Sequence, residues 1–345
     1  MPPKIRTLLI DDCKITCTTF GIFLRKDTAI ELVGTAFGGE EGIALYRQLR
    51  PDVIVTDVDM PGCDGVAVVQ TVMQEQPTPI ILLSALDKQH PKIFEALAAG
   101  AVDIVSKEDV TASRRNAQPL LNTLIRTASG VSIQKVSDWG IKRNIHAHSF
   151  DAQLRYDIIA VGASTGGPAA IEALLSALPA NLSIPVVVAQ HMPEYFLRAF
   201  AQRLDKVSPL RVKLAEPGEG LRGETVYIMP GDVNTNIIRQ SGTQPPVFKV
   251  TRRKYAAFNY PSIDGLFVSL AEAYREKAIG VVLTGMGKDG TEGLGAIRQQ
   301  GGYTIVQDEA SSVVFGMPKH AISCDVVRQV LPLREIPGFL VSCLS

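Results

Sequence analysis

The sequence predicts an α/β protein built on two doubly wound, mostly parallel sheets, the first with five strands. Three observations carry that expectation. Apolar runs of strand length recur through residues 1–110, each followed by an amphipathic helical stretch. The runs are continuous rather than alternating, as strands buried on both faces require. The same rhythm stops near residue 112 and resumes at Ile158.

In the first series, strands are expected at 5–10, 30–36, 53–56, 80–83 and 102–105. Helices fall between them: one through Phe20 and Leu24, then 40–49, 65–74 and 93–99. Leu120–Ala128 reads as the end of a further helix. The polar stretch after it, with Gly130, Gly140, His146 and His148, reads as a linker. In the second series, strands are expected at 158–162, 185–190, 224–229, 278–284 and 302–306, with helices at 169–178, 195–204, 262–275 and 290–299. Residues 231–260 look irregular, with antiparallel strands suggested at 237–240 and 247–251.

Bulk composition narrows the class. A chain of 345 residues with 46% hydrophobic content can bury two sizeable cores. The formal net charge is zero, which gives no electrostatic case for nucleic acid or an anionic membrane. Met1–Thr7 is followed only by Leu8-Leu9-Ile10 before two aspartates, unlike a secretory signal, and no apolar run approaches the roughly 20 residues of a membrane span. Five scattered cysteines (Cys13, Cys17, Cys63, Cys324, Cys343) suggest reduced thiols in the cytoplasm rather than a disulfide frame.

Acidic residues mark the strand ends of the first series. Asp11 and Asp12 follow strand one and Asp57 follows strand three. Ligands of a doubly wound sheet gather outside the carboxyl ends of its strands, near the point where strand order reverses. Converging carboxylates repel one another, and a hard cation such as Mg²⁺ relieves the repulsion. Ser84 and Lys107, ending strands four and five, offer a hydroxyl and an ammonium to phosphoryl oxygens. One aspartate at a strand end is ordinary; five suitable residues on four strands are a site. This region resembles the receiver domain of two-component response regulators, on Asp11-Asp12, Asp57-Val58-Asp59-Met60-Pro61, Asp64-Gly65, Ser84-Ala85 and Lys107. The resemblance implies a flavodoxin-like fold, phosphorylation at Asp57, Mg²⁺ on Asp11, Asp12 and Asp57, and phosphate sensing by Ser84 and Lys107. Glu108 departs from the family, which commonly has proline after the lysine.

The second series carries a serine on a strand-to-helix turn, Gly162-Ala163-Ser164-Thr165-Gly166-Gly167. Such a turn lifts a hydroxyl out of the fold and aims helix N–H groups at a bound group. A serine is a weak nucleophile until a base takes its proton. Of the five histidines, only His191 ends a buried strand, Pro185–Gln190. An orienting carboxylate is also needed. Asp289 sits among glycines after the strand Ile279–Thr284, and ranks above its rivals Asp308 and Asp232 on that setting. The backbone N–H of Thr165 or of Met286 could hold an oxyanion.

Short motifs alone leave this serine open. Gly162–Gly166 fits the hydrolase elbow G-x-S-x-G, but that family runs serine, acid, histidine along the chain, and here the order is Ser164, His191, Asp289. A dinucleotide loop is disfavoured because Ser164 stands where its second glycine belongs. A small-residue turn without chemistry is the remaining reading.

Longer strings decide. Residues 155 to about 325 resemble the catalytic domain of the chemotaxis methylesterase family CheB. The matching strings are Gly162–Gly167, Gln190-His191-Met192-Pro193, Met229-Pro230-Gly231-Asp232, Pro261-Ser262-Ile263-Asp264, Leu283–Gly290 and Val314-Phe315-Gly316-Met317-Pro318. The resemblance implies hydrolysis of glutamate methyl esters on the cytoplasmic helices of methylated chemoreceptors, and deamidation of receptor glutamines. Ser164, His191 and Asp289 fall on its catalytic positions, with no cofactor needed for the esterase step. Phe196–Arg203 matches a segment near the cleft, suggesting substrate contact by Arg198 or Arg203. The expected division is a receiver over 1–123, a linker over 124–153 and the esterase over 154–345, with a chemotaxis-type histidine kinase as phosphodonor and an unphosphorylated receiver that covers the cleft. Nucleic-acid binding and membrane insertion are not expected. The competing reading is a response regulator whose output is a phospho-dependent binding module without turnover. A DNA-binding output is disfavoured, since residues 155–345 show no obvious helix-turn-helix.

Overall fold

A computed structural model describes residues 3–85, 91–111, 117–131, 156–239, 245–255 and 261–344. The chain divides into two compact units, Met1–Ser137 and Asp138–Ser345. His90, His146, His148 and the greater part of the expected linker lie outside the described residues.

In the first unit, β1 (Ile5–Ile10), β2 (Ile30–Ala36), β3 (Val53–Asp57), β4 (Ile80–Ser84) and β5 (Asp103–Ser106) form one sheet in the order β2-β1-β3-β4-β5. Every neighbouring pair is parallel. Leu8, Leu9, Ile10 and Ile80–Leu83 are fully buried, which explains why their strands read as unbroken apolar runs. The helices are α1 (Lys14–Arg25), α2 (Gly39–Leu49), α3 (Gly65–Glu75), α4 (Pro91–Ala98), α5 (Lys107–Thr111) and α6 (Ala117–Ala128). Asp64 starts α3 by accepting the Ala67 N–H at 3.0 Å. Leu121, Leu124, Ile125 and Ala128 give α6 a buried stripe at helical spacing, so this helix continues past residue 123, where the sequence placed the domain's end. The short α5 was not expected. It begins at Lys107 itself, and the Ser106 hydroxyl donates to Glu108 Oε2 at 3.0 Å.

In the second unit, seven strands form one sheet: β6 (Ile158–Ala163), β7 (Val186–Gln190), β8 (Arg211–Leu214), β9 (Thr225–Ile228), β12 (Ala278–Val282), β13 (Tyr303–Gln307) and β14 (Gln329–Leu331). Their order is β14-β13-β12-β6-β7-β9-β8, and all pairs are parallel. The first strand is therefore central, with the chain turning back at β6. An antiparallel hairpin of β10 (Asn234–Ile238) and β11 (Val247–Thr251) lies apart from this sheet. Helices α7 (Gly167–Ser176), α8 (Glu194–Val207), α9 (Ile263–Tyr274), α10 (Thr291–Gln299), α11 (Met317–Ser323) and α12 (Ile336–Ser342) follow the strands. The core gathers on α9, where Ile263, Leu266, Phe267 and Leu270 are fully buried; each such side chain contributes about 1.5–3 kcal/mol of burial.

Candidate active site

Strand register brings Ser164 and His191 together. Ala163 of β6 pairs with Gln190 of β7, and the His191 N–H donates to the Ala163 carbonyl at 3.0 Å. The two residues thus stand just past the paired ends of neighbouring strands, which run about 4.8 Å apart. The buried Gln190 side chain joins them a second time: its Nε2 donates to the carbonyls of Ser164 (3.0 Å) and His191 (3.1 Å).

The serine turn is held from the β12 side. Ser164 N–H donates to the Thr284 carbonyl at 3.1 Å, and Thr284 Oγ1 donates to the Thr165 carbonyl at 3.0 Å. Gly166 takes φ +77°, which a side-chain-bearing residue adopts only with strain, and α7 begins at the next residue. Gly285 passes so close that a Cβ there would lie 2.8 Å from Ser164 Cβ and collide with Met317 Sδ. Among the described residues no acceptor takes the Thr165 N–H.

Asp289 lies past β12 and is 3% exposed. Its Oδ2 is 2.8 Å from His191 Nε2 and accepts the Ile263 N–H at 2.8 Å; its Oδ1 accepts the N–H groups of Asp264 (2.9 Å) and Gly290 (3.0 Å). The carboxylate therefore sits on the positive end of α9, which favours a negative charge. Burial alone would raise its pKa; the His191 hydrogen bond and charge, with the backbone donors, outweigh this and hold it below the usual carboxylate range. With Nε2 engaged, Nδ1 is the imidazole nitrogen left to take a proton from elsewhere.

The second constellation, in the first unit, again follows from register. Thr56 of β3 pairs with Ile10 of β1, Asp57 with Leu83 of β4, and Ser84 with Ser106 of β5. Asp11, Asp57, Ser84 and Lys107 therefore line up along one sheet end. Lys107 Nζ lies 2.6 Å from Asp57 Oδ2 and 2.7 Å from Asp11 Oδ2. Burial raises the Asp57 pKa, with the Asp11 charge adding to it and Lys107 opposing. Lys107 is itself raised: burial would lower it, but its bonds to Asp11 and Asp57 win. Oxygens of Asp11, Asp12 and Asp57 all fall within 4.8 Å of one another. Three carboxylates with one exposed member suit a hard cation such as Mg²⁺ that keeps some water.

Comparison with known proteins agrees with this geometry. Residues 159–340 match the CheB methylesterase model, and residues 7–113 match the response regulator receiver domain model. The chain is 35% identical to a protein-glutamate methylesterase/protein-glutamine glutaminase 2 of Vibrio vulnificus over the whole of both chains. It is 36% identical to one of Shewanella oneidensis, covering 99% of this chain and 98% of the relative. The crystal structure of the Thermotoga maritima CheB methylesterase catalytic domain is 40% identical, with TM-score 0.52, covering 55% of this chain and 98% of that one. This chain belongs to the CheB methylesterase family.

Within this CheB-family chain, the rivals for the orienting acid have other work. Asp308 Oδ1 accepts from the Ser311 N–H (2.9 Å) and hydroxyl (2.6 Å), a local turn cap, and Asp232 is exposed. Met286 follows Gly285 on the loop beside Ser164 and is partly exposed. Arg203 makes two 2.9 Å bonds to Glu172, tying α8 to α7. Arg198 is exposed and lies 3.5 Å from Glu194 on its own helix. Sequence reasoning singled out neither Gln190 nor Thr284 for a role; both stand inside matched strings, but their contacts depend on which strands are neighbours. No helix among the described residues is long and apolar enough to cross a membrane.

Proposed function

We propose that this chain is a phosphorylation-activated serine esterase. It hydrolyses γ-methyl esters of glutamate on chemoreceptor cytoplasmic helices and deamidates receptor glutamines. The observation that supports this most directly is the 2.8 Å contact of Asp289 with His191, on a residue whose strand adjoins that of Ser164, in a chain whose relatives carry the methylesterase/glutaminase name.

In this reading His191 takes the Ser164 proton as Oγ attacks the γ-carbonyl carbon. The oxyanion is held by backbone N–H groups of Thr165 and Met286. Asp289 fixes the imidazole tautomer and stabilises the imidazolium. The imidazolium returns its proton to the departing methoxide, methanol leaves, and a glutamyl ester remains on Ser164. Water, deprotonated by His191, attacks that ester; the serine recovers its proton and a glutamate carboxyl is released. With a glutamine substrate the leaving group is ammonia.

Asp57 is the phosphoacceptor in this proposal, fed by a chemotaxis-type histidine kinase. Asp11, Asp12 and Asp57 would hold Mg²⁺, whose chemistry there is to neutralise charge on the phosphoryl oxygens. Ser84 and Lys107 would bind those oxygens and report the modification.

The deciding experiment is methanol release from methylated receptor membranes, with and without a small phosphodonor and Mg²⁺. Wild-type protein should release methanol faster with both present, and Ser164→Ala should release none while still taking phosphate at Asp57. Methanol release at the wild-type rate by Ser164→Ala would remove the serine mechanism. Phosphorylation with no methanol from any methylated receptor would favour a binding module instead.

A further inference from the structure

The molecule contains a second buried acid beside Asp289 that the reaction above does not use. We propose that Asp264 is a positioning residue for the esterase, locking Asp289 against His191 through a reciprocal cap between α9 and α10. The inference rests on the esterase reading.

The geometry is unusual in its symmetry. Asp289 lies just before α10, yet its carboxylate accepts the N–H groups of Ile263 and Asp264, the first two residues of α9. Asp264 in turn directs Oδ1 at the N–H of Gly293, the third residue of α10, at 2.8 Å. Each helix start is thus satisfied by an acid from the other. The cap position of α10 is occupied by Gly290, which has no side chain to offer, so Asp264 supplies the acceptor that α10 lacks. Gly293 permits the approach: a Cβ there would lie 3.2 Å from Asp264 Cα and would collide with Phe267. Asp289 joins α10 through Gly290 alone, so whatever anchors the start of α10 anchors the acid.

Electrostatics sharpen the role. Asp264 is 2% exposed, and burial first, then the Asp289 charge, push its pKa up to about 7. Glu292 on α10 is the other acid that faces it, His191 lies beyond Asp289, and the Tyr255 ring packs on the adjacent Gly265. Below neutral pH the pair therefore carries one negative charge, on the carboxylate that holds His191. Above it, a second charge develops beside that carboxylate.

The test uses the full-length protein with two readouts: methanol release from methylated receptor membranes, and the acylation burst of Ser164 with p-nitrophenyl acetate across pH. Asp264→Ala should lower kcat and the burst rate on the order of 10²-fold with KM unchanged, as small displacements of aligned groups do. Asp264→Asn keeps an oxygen for Gly293 and should recover most of that loss. Its rising limb in pH should move to lower pH than in wild type, because the amide never adds the second charge. Should Asp264→Ala fail to fold, Asp264→Asn decides through its pH limb. A burst in Asp264→Ala within twofold of wild type, or an Asp264→Asn limb that coincides with wild type, would overturn the proposal. A wild-type burst without methanol release would count against the methylesterase reading while leaving the Asp264 comparison in force.

Discussion

Asp289 Oδ2 lies 2.8 Å from His191 Nε2 across 98 positions of sequence, and the same oxygen accepts the Ile263 N–H at 2.8 Å. One oxygen thus serves both the imidazole and a helix start. The charge that orients the histidine is held by the N–H groups at the α9 N-terminus.

Crowding at Gly285 leads to a sharp expectation. A methyl group there meets Ser164 Cβ at 2.8 Å and the Met317 sulfur, on a loop pinned by the Gly285–Phe315 bridge. Gly285→Ala should displace the nucleophile and cut methanol release by about 10²-fold or more. Circular dichroism should report an intact fold, and a variant with wild-type turnover would show that the loop yields instead.

The carboxylate cluster of the first unit should make stability depend on divalent cation. Magnesium at about 100 times its dissociation constant should stabilise that unit by about 2.7 kcal/mol. Asp12 is exposed, so Asp12→Ala should fold normally and lose this gain. Thermal melts with and without Mg²⁺ read both outcomes.

Asp264 gives stability a pH dependence of definite sign. Its folded pKa, about 7, lies above the ordinary aspartate value of 3.8, so folding favours its protonated form. The contribution is fully present below about pH 4 and is lost as pH rises through about 7. Asp289, held low, acts oppositely and loses its contribution only in acid. Unfolding free energies at pH 5 and pH 8 should fall for wild type and change less for Asp264→Asn; equal changes would place the titration elsewhere.

The Arg203–Glu172 pair is part-buried, with 29% and 24% of the side chains exposed, and bidentate. Arg203→Ala should lower stability by about 0.5–1 kcal/mol and leave KM for methylated receptor unchanged. A raised KM at unchanged stability would restore the substrate contact that the sequence suggested.

How much of this was legible before the fold? Continuous apolar runs revealed the central strands, since residues such as Ile158–Val161 and Val186–Ala189 are buried on both faces. The edge strands of the second sheet escaped. Arg211–Leu214 and Gln329–Leu331 have one covered side and mixed composition, so no run announces them. The start of β10 was placed three residues late because Asn234 and Thr235 are buried polar residues; Asn234 Oδ1 accepts the Ser262 N–H at 2.9 Å, a contact hydropathy cannot suggest. At the site, strand-end position and the glycine-rich setting pointed to Ser164, His191 and Asp289. The contacts of Gln190 and Asp264 stayed hidden, because they arise from strand order and from two helices meeting end to end.

The Gln190 carboxamide, strung between two main-chain oxygens, makes the hydroxyl-bearing turn and the imidazole-bearing strand end a single mechanical piece. Pulling them apart would strand a buried amide with nothing to donate to. A switch acting on this enzyme would meet less resistance by gating the approach to the pair than by dismantling it.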